Sequence, residues 1–328
     1  MRGLGLPPGT VTGIGSLPGT AAGEWARRVL DLPLPFLPEL PARGPHADLT
    51  GRTAALLTDL PVDLQPSGWR LVERPSRDGV RARDLLARDL DALEDAVGGA
   101  PLSRLKVQAA GPWTLAATLE LTRGERALAD PGAVRDLRAS LAEGLSLHLA
   151  DLRRRFPDVE LVLQLDEPAL PAVLAGAVPT PSGFGAYRVP EPRLVQEHLA
   201  DVLAVHDRTV VHICAARPPV RTLRAAGASA LALDLLLPQD EDALAEALEA
   251  GATLLAGVVA ATGATPLSVD DVLRPLRELW RRLGLAAEML PAVVLTPSCG
   301  LAGASEGYAR AVLEQLGRAA AALEEEPL

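Results

Sequence analysis

The chain has almost no lysine: Lys106 is the only one among its 32 basic residues. A P-loop needs a GK[ST] lysine, and Schiff-base aldolases and pyridoxal enzymes need a lysine on the active face, so these chemistries are open only if Lys106 serves. Cysteine is also scarce. Cys214 and Cys299 are too few for a disulfide framework and read as inert, metal-bound or nucleophilic. Positive charge is in deficit, with a net charge of -10 and a pI near 5.1, which argues against a nucleic-acid or anionic-membrane surface. No apolar run approaches the roughly 20 residues of a membrane span. The opening MRGLGLPPGT lacks the apolar stretch of a signal peptide. These absences together predict a soluble, cytoplasmic protein.

What is present is an alternation of short apolar runs with longer amphipathic segments. With 48% hydrophobic and 23% charged residues over 328 positions, the chain can bury one large core or two modest ones. Candidate strands are Gly9–Ser16, Leu34–Glu39, Leu105–Ala110, Asp158–Asp166, Thr209–Cys214, Ser229–Leu236, Thr253–Val259 and Ala292–Thr296. Helical patterns separate them, among them Arg81–Val97, Ala133–Phe156, Arg193–Val205, Asp240–Ala250, Val269–Leu283 and Ala304–Leu323. Eight strands alternating with helices predict βαβ units and a single (β/α)8 TIM barrel over residues 1–328, with a doubly wound open sheet as the competitor. The run SALALDLL (229–236) favours the barrel. It puts Ala230, Ala232 and Asp234 on one face and leucines on the other, as a wall under helices requires. The Pro- and Arg-rich stretch Leu60–Asp78 reads as an excursion after the second strand: a lid, a short hairpin or a plain surface loop.

In such a barrel the active site lies at the C-terminal ends of the strands. His212 and Cys214, two apart on one strand, project from the same face, and Cys299 follows the last strand. Asp234 ends the neighbouring strand. One imidazole, two thiolates and a carboxylate form a tetrahedral Zn2+ set, sulfur favouring zinc over magnesium or calcium. The plainer alternative is that both cysteines are small buried hydrophobes. Lys106, at the start of its strand, is expected on the opposite rim, which removes Schiff-base chemistry. Gly13-Ile14-Gly15 is no dinucleotide fingerprint, since Pro18 stands where a third glycine belongs. The turn at Ser16 can offer amides to a carboxylate. Asp166-Glu167-Pro168 can equally be an acidic helix start. Trp113 is expected either to line the pocket or to pack, and His46, His148, His198 and His206 read as surface residues.

The motifs GIGSLP (13–18), AGPWT (110–114), QLDEPAL (164–170), HIC (212–214) and PSCGL (297–301) occur in order across nearly the whole chain. In this combination the chain resembles the catalytic barrel of cobalamin-independent methionine synthase. The resemblance implies a TIM barrel and a zinc ion held by His212, Cys214 and Cys299, with Asp234 where the family has a glutamate. It further implies a methyltransferase that methylates the thiol of homocysteine to give methionine. Asp166 would hold the substrate amino group with Glu39 as a second acid, and Ser16 and its turn would bind the carboxylate.

Three departures stand beside this resemblance. The family's additional N-terminal barrel has no counterpart here. The folate-stacking tryptophan expected after GPWT is replaced by LAATLEL (115–121). The aspartate and histidine expected after the seventh strand are missing from Gly257–Thr262. The methyl donor is therefore either methyltetrahydrofolate or a methylcorrinoid, the latter implying a corrinoid protein as partner. The competing readings are a zinc-thiol alkyltransferase acting on another thiol and a non-catalytic barrel that binds zinc or an amino acid.

Overall fold

A computed structural model describes residues 3–264 and 268–325. An antiparallel hairpin, β1 (Val62–Gln65) and β2 (Gly68–Leu71), precedes the main sheet. That sheet contains β3 (Arg104–Ala110), β4 (Glu160–Asp166), β5 (Thr209–Ile213), β6 (Ala230–Asp234), β7 (Thr253–Val259) and β8 (Val294–Pro297). All six are parallel and lie side by side in chain order, giving a mixed α/β fold on a curled sheet.

Helices between the strands cover its outer face, and local chemistry sets their starts. Ser76 accepts from Gly79 N at 3.0 Å to begin Arg77–Val97. Asp130 accepts from Gly132 N at 2.7 Å to begin Pro131–Arg155, where Pro131 occupies a position whose N–H would have no helical partner.

The two expected strands 9–16 and 34–39 do not form ladders. They touch the sheet edges and each other at single points: Val11 bridges to Leu295 of β8, Phe36 to Lys106 of β3, and Ser16 to Glu39 between the two segments. Backbone bonds reinforce these bridges, from Thr12 N to Leu295 O (3.2 Å), Leu34 N to Val11 O (3.2 Å) and Leu37 N to Lys106 O (2.9 Å). Proline explains the broken pairing. Pro33, Pro35 and Pro38 have no N–H to donate, so a continuous ladder cannot run through 34–39.

The alternation of β6 sorts its residues between two cores. Leu231 and Leu233 join the large cluster between sheet and helices, whereas Ala230 and Ala232 join Ile14, Leu34, Val162, Val210, Leu255 and Val294 inside the curl. The excursion at 60–78 resolves into the β1–β2 hairpin followed by the start of the helix Arg77–Val97. It is docked rather than loose. Trp69 is buried, and Leu71 N bonds Glu120 O at 2.8 Å while Glu120 N bonds Trp69 O at 2.9 Å. No helix among the described residues is long and apolar enough to cross a membrane.

Candidate metal centre

The register of the sheet builds the site. Asp166, the last residue of β4, pairs directly with His212 on β5, so both side chains leave the same face at the same level. His212 Nδ1 lies 2.7 Å from Asp166 Oδ1. Cys214 follows β5 by one residue, and Cys299 sits in the turn after β8. A ring nitrogen of His212 and the two sulfurs lie within 4.8 Å of one another, the one such group among the described residues. With Nδ1 committed to Asp166, Nε2 is buried and has no partner in the protein.

Two glycines let the last turn approach. A Cβ on Gly257 would stand 2.7 Å from Ser298 Cα, and one on Gly300 would stand 1.9 Å from Ser16 Oγ. A side chain at Gly257 would press on the backbone of Ser298, the residue before Cys299, and one at Gly300 would force the Ser16 hydroxyl aside.

The electrostatics suit a cation. The sulfurs are 2.9 Å apart, well beyond the roughly 2.05 Å of a disulfide. At this separation they share one proton, so the first ionisation is easy and the second is opposed. The hydrogen bond with Cys214, aided by His212, brings the Cys299 thiol down to about 4, while the Cys214 thiol is pushed up. Burial disfavours a charged His212, but Asp166 and the neighbouring Cys299 sulfur outweigh it and raise the ring to about 9. A buried, unpartnered nitrogen beside two sulfurs, one already acidic, is a donor set that fits zinc. The Nδ1 bond to a carboxylate is the outer-shell contact that fixes a ligating imidazole.

Asp234, the last residue of β6, lies outside the group of three. Its carboxylate accepts from Leu236 N at 2.9 Å, and burial raises its pKa.

The three ligand candidates open onto a pocket of about 290 Å³ also lined by Ser16, Glu39, Asp48 and Asp166. Glu39 is buried, and burial raises its pKa to about 7 against the pull of Arg52, whose Nε lies 3.5 Å away. Its Oε1 accepts no hydrogen bond. Arg52 is itself held by Asp89, which Arg43 grips with two bonds of 2.7 Å. The pocket thus presents acids along one wall and sulfur along another.

Other expected residues sit elsewhere. Trp113 does not line this pocket. It is buried, donates from Nε1 to Val195 O at 3.2 Å and stacks on His198. Glu167 is no free helix-start acid. Fully buried, it accepts from Trp113 N, Thr114 N and Thr114 Oγ1, and so caps the helix Pro112–Thr118. His46 and His198 are buried rather than superficial, the former paired with Asp78 at 2.8 Å. None of the hairpin residues 60–78 lines the pocket.

Lys106 is not on the far rim. Its stem climbs the interior, and Nζ reaches Ile14 O (2.9 Å) and Gln164 Oε1 (2.8 Å), just beneath Asp166. Arg52 and Asp89 went unnoticed in the sequence, and Gln164 was read only as part of the QLDEPAL motif, without a role of its own. The signal available for Gln164 was the inward parity it shares with Asp166 on β4.

No family model and no curated protein matches the chain. Among solved structures it is similar to a B12-independent methionine synthase from Shewanella sp. W3-18-1, in complex with selenomethionine. That match has 16% identity and a TM-score of 0.50 and covers 71% of this chain, but only 66% of the Shewanella chain. The chain is also similar to a methyltransferase from Methanosarcina mazei, at 15% identity and a TM-score of 0.56, over 97% of this chain and 94% of the other. At these identities the likeness is one of fold: the chain is built like these two proteins.

Proposed function

We propose that this protein is a zinc-dependent methyltransferase that transfers a methyl group to the thiol of homocysteine to form methionine. The carrying observation is the buried, unpartnered Nε2 of His212 beside the sulfurs of Cys214 and Cys299, in a pocket whose other wall is acidic. The fold likeness to a methionine synthase and a methyltransferase supports the reading. In the same reading residues 9–16 and 34–39 serve as the first two staves of a (β/α)8 barrel spanning 1–328, in the cytoplasm.

His212, Cys214 and Cys299 would hold the ion, with Asp234 as a fourth, exchangeable carboxylate ligand. Zinc bound there would lower the pKa of an incoming thiol so that it ionises near neutral pH. The protein's own groups do the rest. Glu39 and Asp166 supply negative charge for the substrate ammonium, and the Ser16 turn, held by the bond from Leu301 N to Ser16 O at 2.7 Å, receives the carboxylate. Fixed at both ends, the thiol is aimed at the sulfur-lined wall. The thiol gives its proton to solvent, a sulfur–carbon bond forms to the methyl group, and the bond between methyl and donor breaks with its electron pair leaving on the donor.

The donor is methyltetrahydrofolate or a methylcorrinoid carried by a partner protein. The test is methionine formation by reduced, zinc-loaded protein given homocysteine and each donor in turn. Methionine from one donor, absent with Cys299→Ala, is the expected result. No methionine from either donor overturns the reading.

A further inference from the structure

Lys106 stands apart in this chain: its Lys/Arg cations are otherwise all arginine, and this one is fully buried. It lies on the inward face of β3 with its ammonium 5.4 Å from the centre of the Phe36 ring. An ammonium has three donors and no acceptor, so only the amide oxygen of Gln164 can face it. That bond, at 2.8 Å, turns the amide nitrogen of Gln164 the other way. The nitrogen then donates to Asp166 Oδ1 and to Ile14 O, both at 2.8 Å.

Asp166 Oδ1 also accepts from His212 Nδ1 at 2.7 Å. In the neutral ring that a metal ion would require, the proton kept on Nδ1 by Asp166 leaves the lone pair on Nε2, the ring nitrogen without a hydrogen-bond partner in the protein. Each bond therefore constrains the next. Were the amide reversed, its oxygen would oppose the Asp166 carboxylate and its nitrogen would meet the ammonium, two repulsions in a dry interior.

We infer that Lys106 is a positioning residue for the metal centre, acting through Gln164 and Asp166 to hold His212 with Nε2 free as a ligand. The inference rests on the metal-centre reading above. Because the ammonium also bonds Ile14 O, the same side chain ties the Ser16 turn to the floor of the pocket. An arginine could not serve equally, since its wider planar head directs its donors in a fixed fork.

The test uses the full chain with Lys106→Met, Gln164→Leu and the double substitution. Zinc affinity is measured with zinc alone, in competition with a chromogenic chelator. The ring nitrogens of His212 are followed by 15N NMR in the zinc-loaded protein, and thermal unfolding of the metal-free protein reports on folding. Each single variant should fold and bind zinc roughly 10–100-fold more weakly. The double variant should lose little beyond the weaker single, because the residues act in series. The His212 nitrogen resonances should broaden or shift in both variants.

A purely structural role would lower the unfolding temperature and leave zinc affinity and the histidine resonances of the folded protein unchanged, and that result overturns the inference. Should Lys106→Met fail to fold, Gln164→Leu decides alone, since unchanged zinc affinity there breaks the proposed chain. Wild-type protein that binds zinc tightly but makes no methionine contradicts the homocysteine reading and leaves this inference standing. Wild-type protein that takes up no zinc overturns both.

Discussion

His212 Nδ1 and Asp166 Oδ1 stand 2.7 Å apart because β4 and β5 pair in parallel with these two residues in register. The contact gives Asp166 a second task beside the one expected from its place in the DEPAL segment. It faces the pocket, where an ammonium can bind, and it also fixes the ring whose other nitrogen faces the sulfurs. In the proposed function, substrate recognition and metal binding would meet in this one carboxylate.

Asp166→Asn keeps the size of the side chain and removes its charge. Zinc affinity should fall by roughly 10–100-fold, the usual cost of losing an outer-shell partner. The Michaelis constant for homocysteine should rise in the same variant. Chelator competition and steady-state kinetics measure the two effects separately, and an unchanged zinc affinity would confine Asp166 to substrate binding.

Cys214→Ser and Cys299→Ser should each reduce zinc from about one ion per chain to a trace and abolish thiol methylation, because soft sulfur supplies most of the preference for zinc. Elemental mass spectrometry of protein purified without chelator checks this. Asp234→Ala separates two roles. A ligand role predicts weaker zinc binding, whereas loss of its bond to Leu236 N alone predicts only a local loosening of the turn.

Glu39 titrates at about 7 because it is buried. Below that pH it is neutral and loses its attraction for an ammonium, so homocysteine should bind more weakly as pH falls through 7. Glu39→Gln should raise the Michaelis constant by roughly 10-fold or more, the value of a charged hydrogen bond, and flatten this pH dependence. The sign for stability is opposite to that of a salt-bridged acid. Between about 4.5 and 7 the folded state holds a proton that the unfolded state has released, so the Glu39 contribution to stability declines as pH rises through that window. Thermal unfolding of Glu39→Gln across this range should show a shallower decline than wild type.

Glu167 uses both oxygens to hold the helix Pro112–Thr118 against β4. Glu167→Gln places an amide N–H₂ where an N–H already points. The expected loss is roughly 1–3 kcal/mol of stability, with zinc affinity preserved. Denaturant unfolding measures the first and chelator competition the second.

Six strands of the sheet were legible because their runs alternate or are apolar throughout, and His-x-Cys parity put His212 and Cys214 on one face, where Cys299 after the last strand joins them as candidate ligands. The first two expected strands have the same apolar character, yet both pair only at isolated bridges, and in the second Pro33, Pro35 and Pro38 remove the donors a ladder would need. Lys106 was misplaced because position along a strand locates a Cα, whereas a four-carbon stem carries the charge up the interior to Gln164. Trp113 follows the GP of its motif as a pocket residue would, but Val195 O and His198 hold it in the core. Arg52, which faces Glu39, and Asp89, which holds Arg52, come from two different helices, Leu49–Ala54 and Arg77–Val97, and no local pattern links Asp89 to Glu39.

The most direct test of the account is X-ray absorption at the zinc edge, with and without homocysteine. The account predicts two sulfurs at about 2.3 Å and one imidazole nitrogen at about 2.0–2.1 Å in the free protein, with a third sulfur joining when homocysteine is added. A sulfur count that stays at two in the presence of saturating homocysteine would contradict it.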